Sequence, residues 1–241
     1  MALFEAQSVS FRYGARVALH HIDLTIEAGE RIALLGSNGS GKSTLLRLLD
    51  GLYMPSAGTI TFDGEALTEA RLSDPKTSIA FRRRVGLLFQ DPDVQLFNAT
   101  VFDEVAFGPL QLGWPREQVI ASVEEALSLL DIAELRDRAP YHLSGGEKKR
   151  VALASVFVLE PEVLLLDEPA AALDPRSHRQ LVEFLQILPS ATTLITATHD
   201  LTTVQEIAGT CCVLDQGRVL TRGSAMAVLN DSTLLREANL M

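Results

Sequence analysis

Cysteine is nearly absent from this 241-residue chain, and the two present, Cys211 and Cys212, are neighbours. Successive strand side chains point to opposite faces, so the pair predicts no structural disulfide and fits a reducing, cytoplasmic setting. Long apolar runs are missing as well. The best, Val151 to Leu159, stops at Glu160-Pro161, short of the roughly 18 residues that suggest a spanning helix. Met1 to Gly14 holds no basic stretch followed by an apolar core, which predicts no signal peptide, so any membrane contact is expected to be peripheral. Positive charge is scarce: 21 Lys and Arg stand against 31 Asp and Glu, a net −10. Free-standing nucleic-acid binders are usually basic, so no nucleic-acid partner is expected. No Gly/Ser linker, charge block or internal repeat divides the chain, which predicts one domain with embedded subdomains. With 47% hydrophobic and 22% charged residues, wholesale disorder is excluded.

What is present alternates between two periods. Val9, Phe11 and Tyr13 alternate with polar neighbours as in a half-buried strand, and His21–Ile26 continues the signal. Short apolar runs at Arg31–Leu35, Thr59–Phe62, Val85–Phe89, Val163–Leu166 and Ala191–Ala197 read as strands. Cys211–Leu214 and Arg218–Leu220 flank a turn at Asp215-Gln216-Gly217. Between them, Lys42–Leu49, Pro115–Leu130, Glu147–Leu159 and Arg176–Leu188 have helical spacing. Strands alternating with helices predict an α/β fold around a mainly parallel sheet.

Gly36-Ser37-Asn38-Gly39-Ser40-Gly41-Lys42-Ser43 fits G-x-x-x-x-G-K-[ST], with an apolar strand before it and a helix after it. Glycines let successive N–H groups turn inward onto phosphate oxygens, and the helix that follows adds its unpaired N-terminal donors. Lys42 is expected to reach the β- and γ-phosphates and Ser43 to ligate Mg²⁺, with Thr44 next in the nucleotide-binding stretch. Val163-Leu-Leu-Leu166-Asp167-Glu168 places two carboxylates just past a buried strand, where ligands of open parallel sheets sit. Asp167 there can hold the Mg²⁺ shell through water, and Glu168 is the candidate for polarising the attacking water.

With Leu143-Ser144-Gly145-Gly146-Glu147 added, the sequence resembles an ABC-type ATPase subunit over about residues 3 to 225. Read locally, Ser144 and Glu147 form an S-x-x-E capping box. In the family, the same helix start faces the γ-phosphate held by the partner subunit, so Ser144, Gly145 and Gly146 are expected to bind the partner's ATP. Many relatives carry Gln where this chain has Glu147, whose carboxylate is expected to point back to its own cap. The resemblance implies a phosphate-loop (RecA-like) core, about 1–90 and 160–225, and an N-terminal antiparallel β subdomain. It also implies an inserted helical subdomain, about 91–159, and a short helical tail, 224–241. By the same resemblance Tyr13 stacks on adenine, Gln90 ligates Mg²⁺ and senses the transporter, His199 contacts the γ-phosphate, and Ala172-Leu173-Asp174 crosses to the partner. Asp174-Pro175 also reads as a helix start. Ala170-Ala171 departs from the small hydroxyl residue usual there. His20, His21, His142 and His178 have no such placement and read as ordinary surface or core residues.

Phe89-Gln90-Asp-Pro-Asp-Val-Gln95-Leu-Phe97, Asp103-Glu104-Val-Ala-Phe107-Gly108-Pro109 and Leu112-Gly113 resemble the ATPases of energy-coupling-factor importers. That resemblance implies a second ATPase subunit, as a homodimer or heterodimer, and a membrane coupling protein with a substrate-capture protein. The chain is then expected at the cytoplasmic face of the membrane. The short tail favours cobalt or nickel systems over vitamin systems. The alternative readings are a chromosome-maintenance ATPase, which would carry a long coiled coil between Ser43 and Ser144 where none is read, and a translation-type protein, which would normally carry two such domains where one is read. Asp91, Asp93, Asp103 and Glu104 are expected to pair with arginines of the membrane partner.

Overall fold

The computed structural model describes residues 1–241. β1 (Ala2–Tyr13) and β2 (Arg16–Glu27) form a long antiparallel hairpin. Its pairing shifts between Ala6 and Val9 and again between Val9 and Phe11. One extra residue in β1, then one in β2, lets both Ala6 and Val9 point inward. β3 (Arg31–Leu35) runs into the glycine-rich loop and α1 (Lys42–Leu49). β4 (Ala57–Phe62) and the short β5 (Glu65–Ala66) complete a four-stranded antiparallel sheet, ordered β2-β1-β4-β5.

α2 (Glu69–Leu72) and α3 (Pro75–Arg84) follow, capped by Thr68 and Asp74, whose side chains accept from Arg71 N and Thr77 N. After β6 (Val85–Leu88) come three helices, α4 (Val101–Gln111), α5 (Arg116–Leu129) and α6 (Gly145–Phe157). β7 (Val163–Asp167), α7 (Pro175–Ile187), β8 (Thr193–Thr198) and α8 (Leu201–Ile207) alternate as the sequence pattern predicts. The hairpin β9 (Thr210–Asp215) and β10 (Arg218–Ser224) leads to α9 (Ala225–Asn230) and α10 (Ser232–Glu237). No helix is long and apolar enough to cross a membrane.

Four helices lack a sequence signal for physical reasons, the first being α2, a single turn with no buried residue. α3 buries only Phe81, so it has no apolar stripe. α4 contains Gly108 and Pro109, which read as breakers. α8 spans two turns, too short for a period to show.

The second sheet has six strands in the order β10-β9-β3-β8-β7-β6, parallel except at the β9–β10 hairpin. Both of its faces are covered, which explains why its strands read as unbroken apolar runs. Leu34, Leu165, Ile195 and Cys212 pack with the β1–β2 hairpin and α1 on one side. Leu88, Leu164, Leu166 and Leu194 pack on the other side with α4–α7. Cys211 turns away from Cys212 into a third cluster with Val204 and Val228, and burial pushes the two thiols up to about 11 and about 12.

The register sets up everything that follows. Leu35 lies opposite Thr198, Asp167 opposite Ala197, and Leu88 opposite Leu166. The carboxyl ends of β3, β8, β7 and β6 therefore share one edge, from which the phosphate loop, His199, Glu168 and Gln90 emerge.

Asp50, just past the last residue of α1, is buried, and its Oδ2 accepts from Arg82 Nη1 of α3 at 2.7 Å. Burial pushes its carboxyl up to about 6 despite the guanidinium. The folded chain thus binds this proton more tightly than the unfolded chain. Asp50's contribution to stability is fullest below the unfolded value near 4 and is lost as pH rises through about 6. Relative to Asp50→Asn, wild-type stability in urea unfolding should increase by about 2 kcal/mol from pH 7.5 to 4.5; a flat or opposite difference would contradict this.

Candidate active site

The phosphate loop closes over a cavity of about 710 Å³ at the shared edge. Gly39 and Gly41 hold φ of +85° and +108°, and a Cβ at Gly41 would lie 3.0 Å from the Ala18 carbonyl. Glycine at 41 is therefore a packing requirement as well as a conformational one. Asn38 through Thr44 line the cavity together with Tyr13, Gln90 and Glu168. Gly36 and Ser37 sit behind it, their carbonyls accepting from Lys42 Nζ at 2.6 and 3.1 Å. Lys42 is buried at the floor, 3.7 Å from Glu168 Oε1. Desolvation lowers its pKa, and the Glu168 and Asp167 carboxylates pull it back up.

Ser43 Oγ donates to Asp167 Oδ1 at 2.7 Å, across 124 residues of sequence. Burial raises the Asp167 pKa, while the Ser43 bond opposes it. A hydroxyl and a carboxylate oxygen converging beside a phosphate loop are the hard donors a Mg²⁺ ion takes, so these residues fit that ion. Gln90, exposed on the loop after β6, opens into the same cavity.

Glu168 is the most heavily constrained residue of the site. Its φ is +46°, a left-handed conformation that a non-glycine residue adopts only when its surroundings impose it. Its N–H donates to Ala197 O and its carbonyl accepts from Lys149 Nζ, both at 2.8 Å. Its two carboxylate oxygens are taken separately. Thr198 Oγ1 donates to Oε2 at 3.1 Å, and His199 Nδ1 lies 2.9 Å from Oε1. The His199 side chain is 52% exposed, so this imidazole faces open space beyond Glu168. Tyr13 stands half-exposed on the far wall, edge-on to Phe11 and Tyr53, with its hydroxyl 3.3 Å from Thr44 Oγ1.

Ser144, Gly145 and Gly146 are not part of this cavity. They open α6 elsewhere on the surface, with Gly145 beside a second, smaller hollow lined by Gln90, Lys149 and Ala171–Leu173. The capping box is complete: Glu147 Oε2 accepts from Ser144 N and Oγ at 2.7 Å, and Ser144 Oγ accepts from Glu147 N. These bonds hold the Glu147 carboxyl low and turn it back from the glycine amides. Asp174 caps α7, accepting from Arg176 N and Ser177 N.

Several cavity or support residues lie outside the motifs, and four of them are charged or ionisable. Arg47 is one turn beyond Ser43 on α1, and this i, i+4 spacing was a usable signal. Arg16 and His20, on β2, also line the cavity, and His20 is thus more than the ordinary residue its sequence context suggests. Lys149 is buried under Glu168, whereas a lysine in Lys148-Lys149-Arg150 reads as solvent-facing. One expectation fails outright. Glu104 is only 3% exposed and accepts from Phe97 N and Asn98 N at 2.8 and 2.7 Å, so it anchors a loop and faces no partner. Asp93 is held by Lys148 Nζ at 2.6 Å, and Asp103, in the first turn of α4, accepts from the hydroxyl of the capping Thr100 while its N–H donates to that oxygen.

Together the fold and this edge define a nucleotide-hydrolysing protein of the ABC class. The family model described as ABC transporter matches residues 19–171, and the chain belongs to that family. It binds ATP and hydrolyses it, and within the family it groups with the ATP-binding subunits of energy-coupling-factor importers. It is 54% identical over 242 residues to the nickel import ATP-binding protein NikO of Rhodobacter capsulatus, covering 99% of this chain and 95% of that protein. It is 45% identical to the cobalt import ATP-binding protein CbiO of the same organism, covering 98% and 83%. Among solved structures, cbiO1 from Clostridium perfringens, part of the ABC transporter complex cbiONQ, superposes with a TM-score of 0.82 at 36% identity, covering 99% and 95%.

Lys42→Ala should weaken equilibrium binding of labelled ATP at least about tenfold, the equivalent of about 1.4 kcal/mol of lost charge-assisted contact. Affinity within twofold of wild type would show that the cavity does not hold the phosphates.

Proposed function

We propose that the chain powers import of nickel or cobalt ions, as one of two ATPase subunits bound peripherally at the cytoplasmic face beneath a membrane coupling protein and a substrate-capture protein. The names of the similar nickel and cobalt import proteins support the cargo. In this reading the core is about 1–90 and 160–225, the helical subdomain about 91–159, and the tail 224–241. The observation that carries the proposal is the division of the motifs. Lys42, Ser43, Gln90 and Glu168 line the cavity, with Asp167 and His199 bonded to them, while Ser144 and Gly145 are exposed at the start of α6, outside it. A second subunit would bring its own Ser144–Gly146 over the first subunit's ATP.

The chemistry needs position and charge neutralisation more than covalent help. The loop amides from Asn38 to Thr44 and the Lys42 ammonium hold the triphosphate, and Tyr13 supplies a ring for the base. Ser43, Asp167 and Gln90 would hold Mg²⁺, which supplies positive charge against the β- and γ-phosphates. Glu168, gripped by Thr198 and His199, takes the proton of the attacking water as its oxygen bonds to the γ-phosphorus and the bridge to the β-phosphate breaks. His199, on the open side of Glu168, reaches the γ-phosphate.

The partner surface follows Gln90 in sequence. Phe97, 67% exposed, stands edge-on to Phe107 with ring centroids 5.0 Å apart, and Val94 and Leu110 are exposed nearby in sequence. Exposed apolar groups with Asp91 and Asp103 beside them suit an apolar helix carrying arginines.

Glu168→Gln should keep ATP binding, nearly abolish turnover, and yield a dimer at saturating ATP and Mg²⁺; light scattering that finds only monomer would contradict the shared site. Phe97→Ser should weaken co-purification with the membrane partners about tenfold or more while leaving the ATPase rate of the isolated subunit within twofold. Unaltered assembly would remove this surface from the interface.

A further inference from the structure

The grip on Glu168 does not end at Thr198. Thr198 Oγ1, besides donating to Glu168 Oε2, accepts from the backbone N–H of Asp200 at 3.0 Å. Asp200 caps α8, its Oδ1 accepting from Thr202 N at 2.9 Å, and its Oδ2 accepts from Thr203 Oγ1 at 2.5 Å. Thr203 is fully buried, and its oxygen lies 3.0 Å from His178 Nε2 on α7. The single hydroxyl proton of Thr203 is committed to Asp200, so Nε2 must donate. Every link then points the same way: His178 to Thr203, Thr203 to Asp200, Asp200 N–H to Thr198, and Thr198 to Glu168. The Asp200 and Glu206 carboxylates flank the same nitrogen at 3.9 and 4.0 Å.

The far end of this chain lies next in sequence to the residue that packs against the start of α6. His178 lies one residue beyond Ser177, in the first turn of α7 set by Asp174. A Cβ on Gly146 would come within 2.6 Å of Ser177 Oγ, so α6 and α7 touch there without a gap. Arg150 of α6 also contacts Gln180 of α7.

We infer that His178 and Thr203 are positioning residues for the carboxylate of Glu168, fixing it through the α8 cap to the helix that carries the Asp174 loop. Neither residue lines the nucleotide cavity, so each acts on hydrolysis rather than on ATP binding. The inference rests on the assignment of Glu168 as the group that acts on water.

The test is steady-state ATPase kinetics of the full-length chain. Thr203→Val is nearly isosteric and removes only the hydroxyl; His178→Gln keeps a donor nitrogen close to the place of Nε2. His178→Ala and Thr203→Val should each lower kcat about tenfold with KM for ATP within twofold, because a small misplacement of a reacting group is costly. His178→Gln and Thr203→Ser should each recover at least half of wild-type kcat. The double variant His178→Ala/Thr203→Val should be no slower than the worse single variant by more than about twofold, as expected for one shared chain of bonds. Wild-type kcat in both single variants overturns the inference. So does an equal loss in His178→Ala and His178→Gln, which would mean that the imidazole only fills space. Should His178→Ala fail to fold, the Thr203→Val and Thr203→Ser pair decides alone. Glu168→Gln turning over at the wild-type rate would instead remove the underlying assignment, and that variant leaves His178 and Thr203 intact.

Discussion

The parallel register of β6, β7, β8 and β3 is the constraint on which the rest depends. Ser43 and Asp167 stand 124 positions apart in sequence, yet they share a hydrogen bond because β3, β8 and β7 end level with one another. A slip of one residue would turn alternate side chains to the opposite face. It would also lift Glu168 out of reach of both Thr198 and His199. The apolar contacts on the two faces of the sheet protect that register, so the interior serves the site by holding an alignment.

Charge is the second constraint. Two lysines, Lys42 and Lys149, and two carboxylates, Asp167 and Glu168, are buried together. Desolvation disfavours the charged form of both lysines and of Asp167, and opposite charges nearby offset it in each case. Removing one partner would leave an uncompensated buried charge, which is more costly than the pair itself is stabilising.

Much of this was legible in the sequence. The loop Gly36–Ser43, the strand ending at Asp167 and the box at Ser144–Glu147 each have a backbone consequence within a few residues, so local pattern carries them. Arg47, His20 and Lys149 do not, because their placement depends on which elements pack together. Glu104 shows the limit most plainly. From sequence it is expected to meet arginines of the membrane partner, and only the fold reveals two backbone N–H groups bonded to its carboxylate. α3 was hidden because its caps and a single buried Phe81, rather than an apolar period, hold it, and α4 because Gly108 and Pro109 read as breakers.

In the proposed dimer each ATP is enclosed by two chains, one offering Lys42 and the other Ser144–Gly146. Mixing two inactive full-length variants tests it directly: Lys42→Ala, and a Gly145→Arg chain, whose new side chain enters open space at the start of α6 and blocks the motif. A mixed dimer would hold one site with both halves intact. At equal amounts, random pairing predicts that ATP hydrolysis returns to about a quarter of the wild-type rate per chain. If the mixture stays as inactive as either variant alone, while each still dimerises, the site is not shared between two chains.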